Sequence, residues 1–393
     1  MDCLIYRYNS IFEPAVISTF TGFGLNCIEE LSGIAARHEN KSRVQVVSEH
    51  ILSHLDQNNP LLFVFSINFF PDISEICERL GTLYVCWSVD CPVLELFSNA
   101  IKNKHNRVFL FDHAQYLRLH KYNPDCIFYL PLAADLPAWD KATSDISSED
   151  VKKYSSDICF VGSLYTEKNP MKNVSLSDSD RGFVDGLLAA QLPMYGAFIL
   201  ESVLPDRIVD KIITSKPIDP ISGFVEPIEK YMAANEYLGS QLAVNERQLI
   251  LSRLSKQFNV SLYTGSDTSS LPDVKNCGLA KTMTEMPKIF NLAKINLNIT
   301  MRPISTGLPL RIFDVMGCNG FLITNYQEEL FDYFVPGEDL EVFSSVDELE
   351  DKCRYYLAHE DERKAIALSG YNKIKSHHTI DMRMAQLLSF IVN

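Results

Sequence analysis

Two arginines and one aspartate lie in a short, otherwise apolar segment of this chain and could bind a phosphorylated ligand. Arg302 follows the apolar run INLNIT. Arg311 and Asp314 come one helical turn apart, just after Pro309. Guanidinium groups and the free amides at the start of a helix bind phosphate, and a carboxylate can accept hydrogen bonds from a ribose diol. This chemistry predicts a site for a nucleoside diphosphate. The alternative is that Arg311 and Asp314 form a surface ion pair three residues apart.

Two buried strands and the helix between them must position these groups. Residues 295–340 show the pattern of a buried strand, a polar loop, a short helix and a second buried strand. In a parallel sheet, ligands bind beyond the carboxyl ends of the strands, so the loop 301–308 is expected to face the ligand. Pro309 suits the first turn of the following helix, because a backbone N–H has no intrahelical partner there.

Asp90 is a further candidate, since it ends the apolar run YVCWSV and is expected at the carboxyl end of a strand. A carboxylate there can accept a proton from an acceptor hydroxyl. The alternative is that Asp90 caps a helix beginning within PVLELFSNAI. Asp112 and His113 form a second strand-end pair. An imidazole can transfer protons near neutral pH, but a lone histidine is more often structural.

Two features that could bind a metal ion have simpler explanations. Asp178 and Asp180 match an Asp-x-Asp element, yet they lie in a Ser- and Asp-rich loop ahead of a helix, which favours a helix cap. His377 and His378 are adjacent, and adjacent residues on a helix do not share a face. The sequence contains no spacing typical of zinc ligands. We therefore predict neither a metal site nor a cofactor.

The composition is typical of a soluble globular protein in a reducing compartment. Of the 393 residues, 46% are hydrophobic and 22% are charged, and the net charge is -14. This charge argues against nucleic acid or an anionic membrane as the main partner. We expect no membrane span, since no apolar run is long enough, and no signal peptide at the N-terminus. Ten scattered cysteines without a CxxC pair indicate the cytoplasm.

Apolar runs that alternate with helical patterns predict an α/β protein with parallel, doubly wound sheets. Residues 1–150 form the first predicted domain. The run DICFVGSLY, from Asp157, is the expected first strand of a second domain, residues 151–375. Between about 183 and 258 the apolar residues recur at helical spacing, which predicts a helical insert in that domain. Residues 376–393 are predicted to be a final helix.

Three stretches of sequence resemble one family of proteins. One is GLPLRIFDVMGCNGFLITNYQEELFDYFVPGEDL, followed by helices containing YYLAHEDERKAIALSGYNKI. The others are DICFVGSLY and FSINFFPDISEICERLGTLYVCWSVDCPVLELFS, where a strand ends in Trp-x-x-Asp-x-Pro. Together they resemble glycosyltransferases of the spore-maturation CgeB type, within the GT-B group. The resemblance implies two Rossmann-like domains facing each other across a cleft. The second domain would hold a nucleotide sugar and the first an acceptor, and the final helix would cross back to the first.

The resemblance also implies roles for individual residues. The implied donor-binding positions are Gly162, Ser163, Thr264, Gly265, Arg302, Gly307, Pro309, Arg311 and Asp314. The first two would approach the donor phosphates, and the next two would lie near the base. Asp314 stands where related enzymes usually carry a ribose-binding glutamate, and its side chain is one methylene shorter. Asp90 is the candidate catalytic base.

We therefore expect a hexosyltransferase that moves a sugar from a nucleotide sugar, with a UDP-sugar favoured, to a hydroxyl group. The acceptor would belong to a glycan, a surface polymer or a protein. Arginines and helix-terminal amides could stabilise the leaving diphosphate, so we expect transfer without a metal ion. Two alternatives stay open, a nucleotide-sugar epimerase on the same fold and a non-catalytic nucleotide-sugar-binding protein.

Overall fold

The computed structural model describes residues 1–35, 42–57, 59–214 and 223–391. Its contacts divide the chain into two compact units. The first consists of Met1–Leu132, Ile218–Ile228 and Ile380–Asn393, and the second of Ala133–Pro217 and Glu229–Thr379. Each unit contains one six-stranded sheet in which all pairings are parallel. The α/β class is therefore confirmed. The predicted first domain ends at residue 150, whereas the first compact unit ends its N-terminal part at Leu132.

The first unit is a parallel sheet with its connecting helices. Its strands are β1 (Asp2–Tyr6), β2 (Asn26–Glu30), β3 (Phe63–Ile67), β4 (Tyr84–Ser88), β5 (Asn106–Leu110) and β6 (Ile127–Tyr129). Its helices, in chain order to residue 132, are α1 (Glu13–Gly22), α2 (Ser32–Ala35), α3 (Arg43–Asp56), α4 (Pro71–Leu80) and α5 (His113–His120), with 3₁₀ turns at Leu94–Phe97 and Asn99–Lys102.

The strand order of the first sheet is β2-β1-β3-β4-β5-β6. Every residue of β3 and β4 is buried, which accounts for their continuous apolar runs. Phe20 from α1 packs edge-on against Phe63 and Phe65 of β3, with ring centroids 5.6 and 5.5 Å apart. The strand order reverses between β1 and β3. The carboxyl ends of these two strands therefore form a topological switch point, where α/β proteins commonly bind ligands.

The second unit has the larger set of elements. Its strands are β7 (Ser156–Val161), β8 (Val260–Tyr263), β9 (Lys275–Asn276), β10 (Ala293–Asn298), β11 (Leu322–Asn325) and β12 (Glu341–Phe343). Its helices are α6 (Leu136–Thr143), α7 (Ser148–Tyr154), α8 (Asp178–Gln191), α9 (Leu200–Val203), α10 (Asp206–Thr214), α11 (Glu229–Met232), α12 (Gly239–Ser255), α13 (Met286–Leu292), α14 (Leu310–Gly317), α15 (Leu330–Tyr333), α16 (Val346–Ala358) and α17 (Glu360–His377), with a 3₁₀ turn at Pro170–Asn173 and a π-helical segment at Ala233–Leu238.

The strand order of the second sheet is β12-β11-β10-β7-β8-β9. Renumbered within the unit, this is the 3-2-1-4-5-6 order of the Rossmann fold, read from the β9 edge. The order reverses between β7 and β10, which pair directly from Ala293 and Ser156 to Leu297 and Phe160. In α/β proteins the loops that leave the carboxyl ends of two such strands commonly diverge, and the crevice between them is where ligands bind.

Between β7 and β8 the described residues form helices, from α8 to α12, and the loops that connect them, with no strand of the sheet. One described part of this insert, residues 223–228, belongs to the first unit. There Phe224 forms an antiparallel bridge with Ser98, and Glu226 accepts a hydrogen bond from Arg118 Nε at 2.7 Å. The final helix, α18 (Ile380–Ser389), also belongs to the first unit, where Thr19 of α1 donates a hydrogen bond to Asp381 at 2.6 Å.

None of the described helices combines the length and the apolar character that crossing a membrane requires.

Candidate functional site

The loops after β7 and β8 bring together four of the predicted donor-binding residues. Gly162 and Ser163 follow β7, and Thr264 and Gly265 follow β8, at the carboxyl ends of two paired strands. The two loops are joined by hydrogen bonds from Gly162 N to Tyr263 O at 3.0 Å and from Leu164 N to Ser266 Oγ at 2.8 Å. The two loops therefore lie side by side, next to the switch point.

Glu167, which the sequence analysis did not single out, ties these loops together. Its carboxylate accepts hydrogen bonds from the hydroxyls of Ser163 and Ser266, each at 2.7 Å. Although burial acts to raise it, these hydroxyls, Ser266 first, lower the pKa of Glu167 to about 2. Glu167 is therefore ionised at neutral pH, and its hydrogen bond holds the Ser163 side chain in place.

Arg302 makes all of its contacts with protein groups. Its guanidinium forms an ion pair with Glu246 at 2.7 Å and donates to the carbonyl oxygens of Leu192 and Met194 at 3.2 and 2.7 Å. It also lies 3.7 Å from the ring centroid of Tyr195 and is only 6% exposed. In this structure Arg302 joins the loop after β10 to the helical insert. Its contacts do not support the predicted role beside the diphosphate, because a partner for it already lies within the fold.

The loop that leads to α14 is held by a glutamine. Gln327 donates hydrogen bonds to the carbonyl oxygens of Ile304 and Gly307 at 2.9 and 3.0 Å. The carbonyl of Gly307, a predicted site residue, is therefore bound by a protein side chain. Pro309 is the N-cap of α14, in an extended conformation, and the helix begins at Leu310. The proline therefore lies one position earlier than the first-turn position expected from the sequence.

Arg311 and Asp314 form the ion pair that was the alternative interpretation of their spacing. Arg311 Nη1 lies 3.3 Å from Asp314 Oδ2. Only the arginine of this pair reaches the surface, because its side chain is 26% exposed whereas that of Asp314 is 2% exposed. Burial raises the pKa of Asp314 to about 7, and the opposing charge of Arg311 is too weak to prevent this. The carboxyl therefore holds its proton to a higher pH than an ordinary aspartate does.

Arg247 of α12 lies at the same edge of the sheet and was missed by the sequence analysis. It is 8% exposed, and it donates to the carbonyl oxygens of Ser163, after β7, and Ile299, after β10. A signal for it exists in the sequence, since Val244 and Leu251 lie on the same helical face at spacings of three and four residues. An arginine on the apolar face of a helix indicates a buried charge.

Asp90 lies at the carboxyl edge of the first unit's sheet, directly after β4. It is exposed, and its Oδ2 accepts a hydrogen bond from Asn68 Nδ2 at 2.6 Å. Asn68 also donates to Tyr8 Oη at 3.0 Å and accepts from Val89 N at 2.9 Å, so one side chain arranges the whole turn. The capping alternative is not what the structure shows, because the next helical turn begins at Leu94.

Asp112 and His113, the second strand-end pair, have structural contacts. Asp112 is the N-cap of α5, is buried, and accepts a hydrogen bond from Gln115 N at 3.1 Å. The ring of His113 packs against those of Tyr116 and Tyr129, with centroids 5.6 and 5.1 Å away. This arrangement agrees with the structural interpretation of the pair.

Asp178 and Asp180 lie in the first turn of α8, whose N-cap is Ser177, in accord with the helix-cap interpretation. Asp180 is bound by Arg207 and Lys211, which neutralise it. Within the part of the chain that the structure describes, no three His, Cys, Asp or Glu side chains gather as metal ligands would.

A cavity of about 560 Å³ lies at the opposite edge of the second sheet, where the strands begin. Its lining includes Ser156, Val260, Lys275 and Lys294, and none of the predicted site residues. Ligands of α/β sheets bind at the carboxyl ends of strands. We therefore place the candidate site at the switch point rather than at this cavity.

Comparison with known proteins found a family model for part of the chain and solved structures of similar fold. Residues 247–389 match a family model described as glycosyl transferase-like, and the match contains Thr264, Arg302, Arg311 and Asp314. No curated protein matches the sequence.

Solved structures match over nearly the whole chain at low sequence identity. A glycosyltransferase from Rickettsia africae is 9% identical with a TM-score of 0.57, covering 99% of this chain and 97% of its own. HepE from Anabaena, solved with UDP-glucose, is 10% identical with a TM-score of 0.57, covering 99% and 98%. Sucrose-phosphate synthase from Thermosynechococcus elongatus is 9% identical with a TM-score of 0.56, also covering 99% and 98%.

At these identities the likeness establishes the fold, and it confirms the predicted fold class. Residues 247–389 match the glycosyl transferase-like model, and the chain has the fold of its structural neighbours, the GT-B glycosyltransferases.

Proposed function

We propose that this protein is a glycosyltransferase that binds a nucleotide sugar at the switch point of the second sheet and transfers the sugar to a hydroxyl group. One observation carries the proposal. The loops after β7 and β10 leave the carboxyl ends of the two strands at a Rossmann-type switch point, in a unit whose residues 247–379 lie within the match to a glycosyl transferase-like model. A UDP-sugar is the favoured donor, and the UDP-glucose bound to HepE, a protein of the same fold, supports that choice.

The donor site in this proposal consists of the loops at Gly162 and Thr264, the start of α14, and Arg311. Loop amides and the first amides of α14 would contact the diphosphate, and the arginine would offset its charge. Bond breaking at the anomeric carbon adds negative charge to the leaving diphosphate, so cations and amides held in place stabilise the transition state. These groups can stabilise the leaving diphosphate without a metal ion, so the proposed transfer is metal-independent.

Asp90 is the proposed base of the reaction. Its carboxylate is exposed and held by Asn68 at a strand end, so it can approach a hydroxyl and accept its proton. The proposed acceptor is a hydroxyl of a glycan, a surface polymer or a protein. The Trp-x-x-Asp-x-Pro turn, from Trp87 to Pro92, supports a CgeB-like type, and the ten free cysteines support a cytoplasmic location.

Incubation with a panel of nucleotide sugars tests the function. Slow release of the nucleoside diphosphate, accelerated by an acceptor and abolished in Asp90→Asn, is the expected result. An isomerised donor without diphosphate release would instead establish an epimerase. Binding of a donor with no turnover under any acceptor would establish a non-catalytic nucleotide-sugar-binding protein.

Thermal-shift measurements with nucleotides supply the matching binding test. Arg311→Ala should weaken donor binding, and Arg354→Ala, which removes an exposed arginine paired with Asp351, is the matched control. Absence of stabilisation by every nucleotide tested would refute a nucleotide-sugar function.

A further inference from the structure

We propose that Arg247 is the cation that receives the diphosphate of the donor, in place of Arg302. This inference rests on the proposed function for the identity of its ligand. Its anion-binding part stands on the geometry of the arginine alone.

The first support is the position of Arg247 in the fold. The Ser163 carbonyl, which Arg247 Nη1 contacts, follows β7, and the Ile299 carbonyl, bound by Nη2 at 2.9 Å, follows β10. These are the two strands between which the sheet order reverses. The guanidinium therefore bridges the two loops that bound the switch-point crevice, where α/β proteins bind their ligands.

The second support is the set of donors that remains unused. A guanidinium carries five N–H groups, and the two carbonyls engage one on each Nη. Nε is buried and has no hydrogen-bond partner. Among the residues that the structure describes, Arg247 also forms no ion pair with a carboxylate. An uncompensated buried charge is costly in a folded protein, and an anionic ligand would supply the missing partner.

The third support is the contrast with the neighbouring buried arginine. Arg302 is neutralised by Glu246, the residue next to Arg247, and it donates to two further carbonyls. Glu167, the other acidic group near Arg247, is occupied by the hydroxyls of Ser163 and Ser266. Among the described residues, both of these carboxylates therefore have other partners, and neither forms an ion pair with Arg247.

The surroundings of Arg247 suit a ligand with more than one negative charge. Burial lowers the pKa of Arg247, and the positive charge of Arg311 lowers it further. An anion bound at Arg247 would offset both effects. The rings of Tyr165 and Phe160 lie 4.7 and 5.4 Å from the guanidinium carbon and restrict its movement. A cation fixed in advance loses little entropy on binding.

The test compares UDP, uridine and inorganic pyrophosphate by isothermal titration calorimetry. Arg247→Gln should lower the affinity for UDP and for pyrophosphate by about tenfold to a hundredfold, since it removes charge-assisted hydrogen bonds. Uridine, which has no phosphate, should bind wild type and variant alike. Arg253→Gln is the matched control, because Arg253 lies on the same helix, is partly exposed and pairs with Glu350 and Asp347 rather than with the loops at the switch point.

Each outcome separates the two proposals. Equal UDP affinity in wild type and folded Arg247→Gln would overturn the role of Arg247 and leave the nucleotide-sugar function standing. Pyrophosphate binding that depends on Arg247, without binding of any nucleotide, would uphold the anion site and refute the function. Failure of the wild type to bind either UDP or pyrophosphate would overturn both. If Arg247→Gln does not fold, Arg247→Lys decides, because a lysine keeps the charge but lacks the planar fork. A pyrophosphate affinity below that of the wild type supports the inference, and an unchanged affinity overturns it.

Discussion

Asp314 offers a direct test of the buried site through the pH dependence of stability. Its carboxyl is 2% exposed, and burial raises its pKa to about 7, whereas an unfolded aspartate titrates near 4. Between those two values the folded protein retains a proton that the unfolded chain has lost. The wild-type contribution of Asp314 therefore becomes less favourable as the pH rises from about 4 to about 7, and it is constant outside that window.

The magnitude follows from the width of the window. A difference of about three pKa units corresponds to about 4 kcal/mol when the window is crossed completely. Between about pH 5 and about pH 7.5 the change is about 2–3 kcal/mol, because part of the window lies below pH 5. Asp314→Asn has nearly the same shape and no charge, so its contribution should not vary with pH.

Urea unfolding of wild type and Asp314→Asn at a series of pH values measures this difference. The variant should gain stability relative to the wild type as the pH rises. Because the two proteins are compared at each pH, the contributions of acidic groups common to both cancel. Asp90→Asn, a substitution of an exposed aspartate, serves as the control for the removal of a carboxylate as such. A difference between wild type and Asp314→Asn that stays flat, or that grows as the pH falls, would refute the burial argument for this carboxyl.

Three further predictions follow from buried or constrained groups. Arg302→Gln leaves Glu246 buried without a cation and should lower the free energy of unfolding by about 3–5 kcal/mol, while the folded protein keeps its affinity for UDP. Asn68→Ala removes hydrogen bonds to Asp90 and puts alanine at a φ of 58°, so denaturant unfolding should show a loss of about 1–3 kcal/mol and transfer activity should fall. Gly370→Ala brings a Cβ to 2.4 Å from a backbone carbonyl oxygen, and the melting temperature should drop.

Matched variants separate these effects from general damage. Arg302→Gln combined with Glu246→Gln should recover part of the lost stability, and no recovery would contradict the ion-pair explanation. Asn68→Gly tolerates the positive φ and should be less destabilised than Asn68→Ala; equal losses would contradict the conformational argument. Gly186 is a helical glycine with open space at its Cβ position, so Gly186→Ala should be neutral or stabilising by up to about 1 kcal/mol. A loss as large as that of Gly370→Ala would refute the steric explanation.

Local periodicity accounts for the parts of the fold and the site that the sequence predicted correctly. Apolar runs alternating with helical patterns indicated parallel sheets, because strands buried on both faces have continuous apolar sequences, as in β3 and β4. The spacing of Arg311 and Asp314 indicated a contact across one helical turn, and the structure has that contact. Both inferences use distances of a few residues along the chain.

The partner of Arg302 could not be predicted in the same way. Glu246 lies 56 residues before it in the sequence and on a helix of the insert, so no local pattern joins the two. The loop position of Arg302, after a buried strand, suited a ligand equally well. Only the packing of α12 against the loop after β10 distinguishes a structural ion pair from a phosphate contact.

The adjacent residues Glu246 and Arg247 show why a charge next to its opposite in sequence is not thereby neutralised. Successive residues on a helix point about 100° apart, so they do not face each other. In the structure Glu246 is directed to Arg302, whereas Arg247 reaches the carbonyls at the ends of β7 and β10. The acidic residue thus pairs with a distant arginine, and among the described residues its own neighbour forms no ion pair with a carboxylate. Arg302, whose position in the sequence suited a phosphate contact, therefore has a partner within the fold, while Arg247, on an apolar helical face, has an Nε without a hydrogen-bond partner.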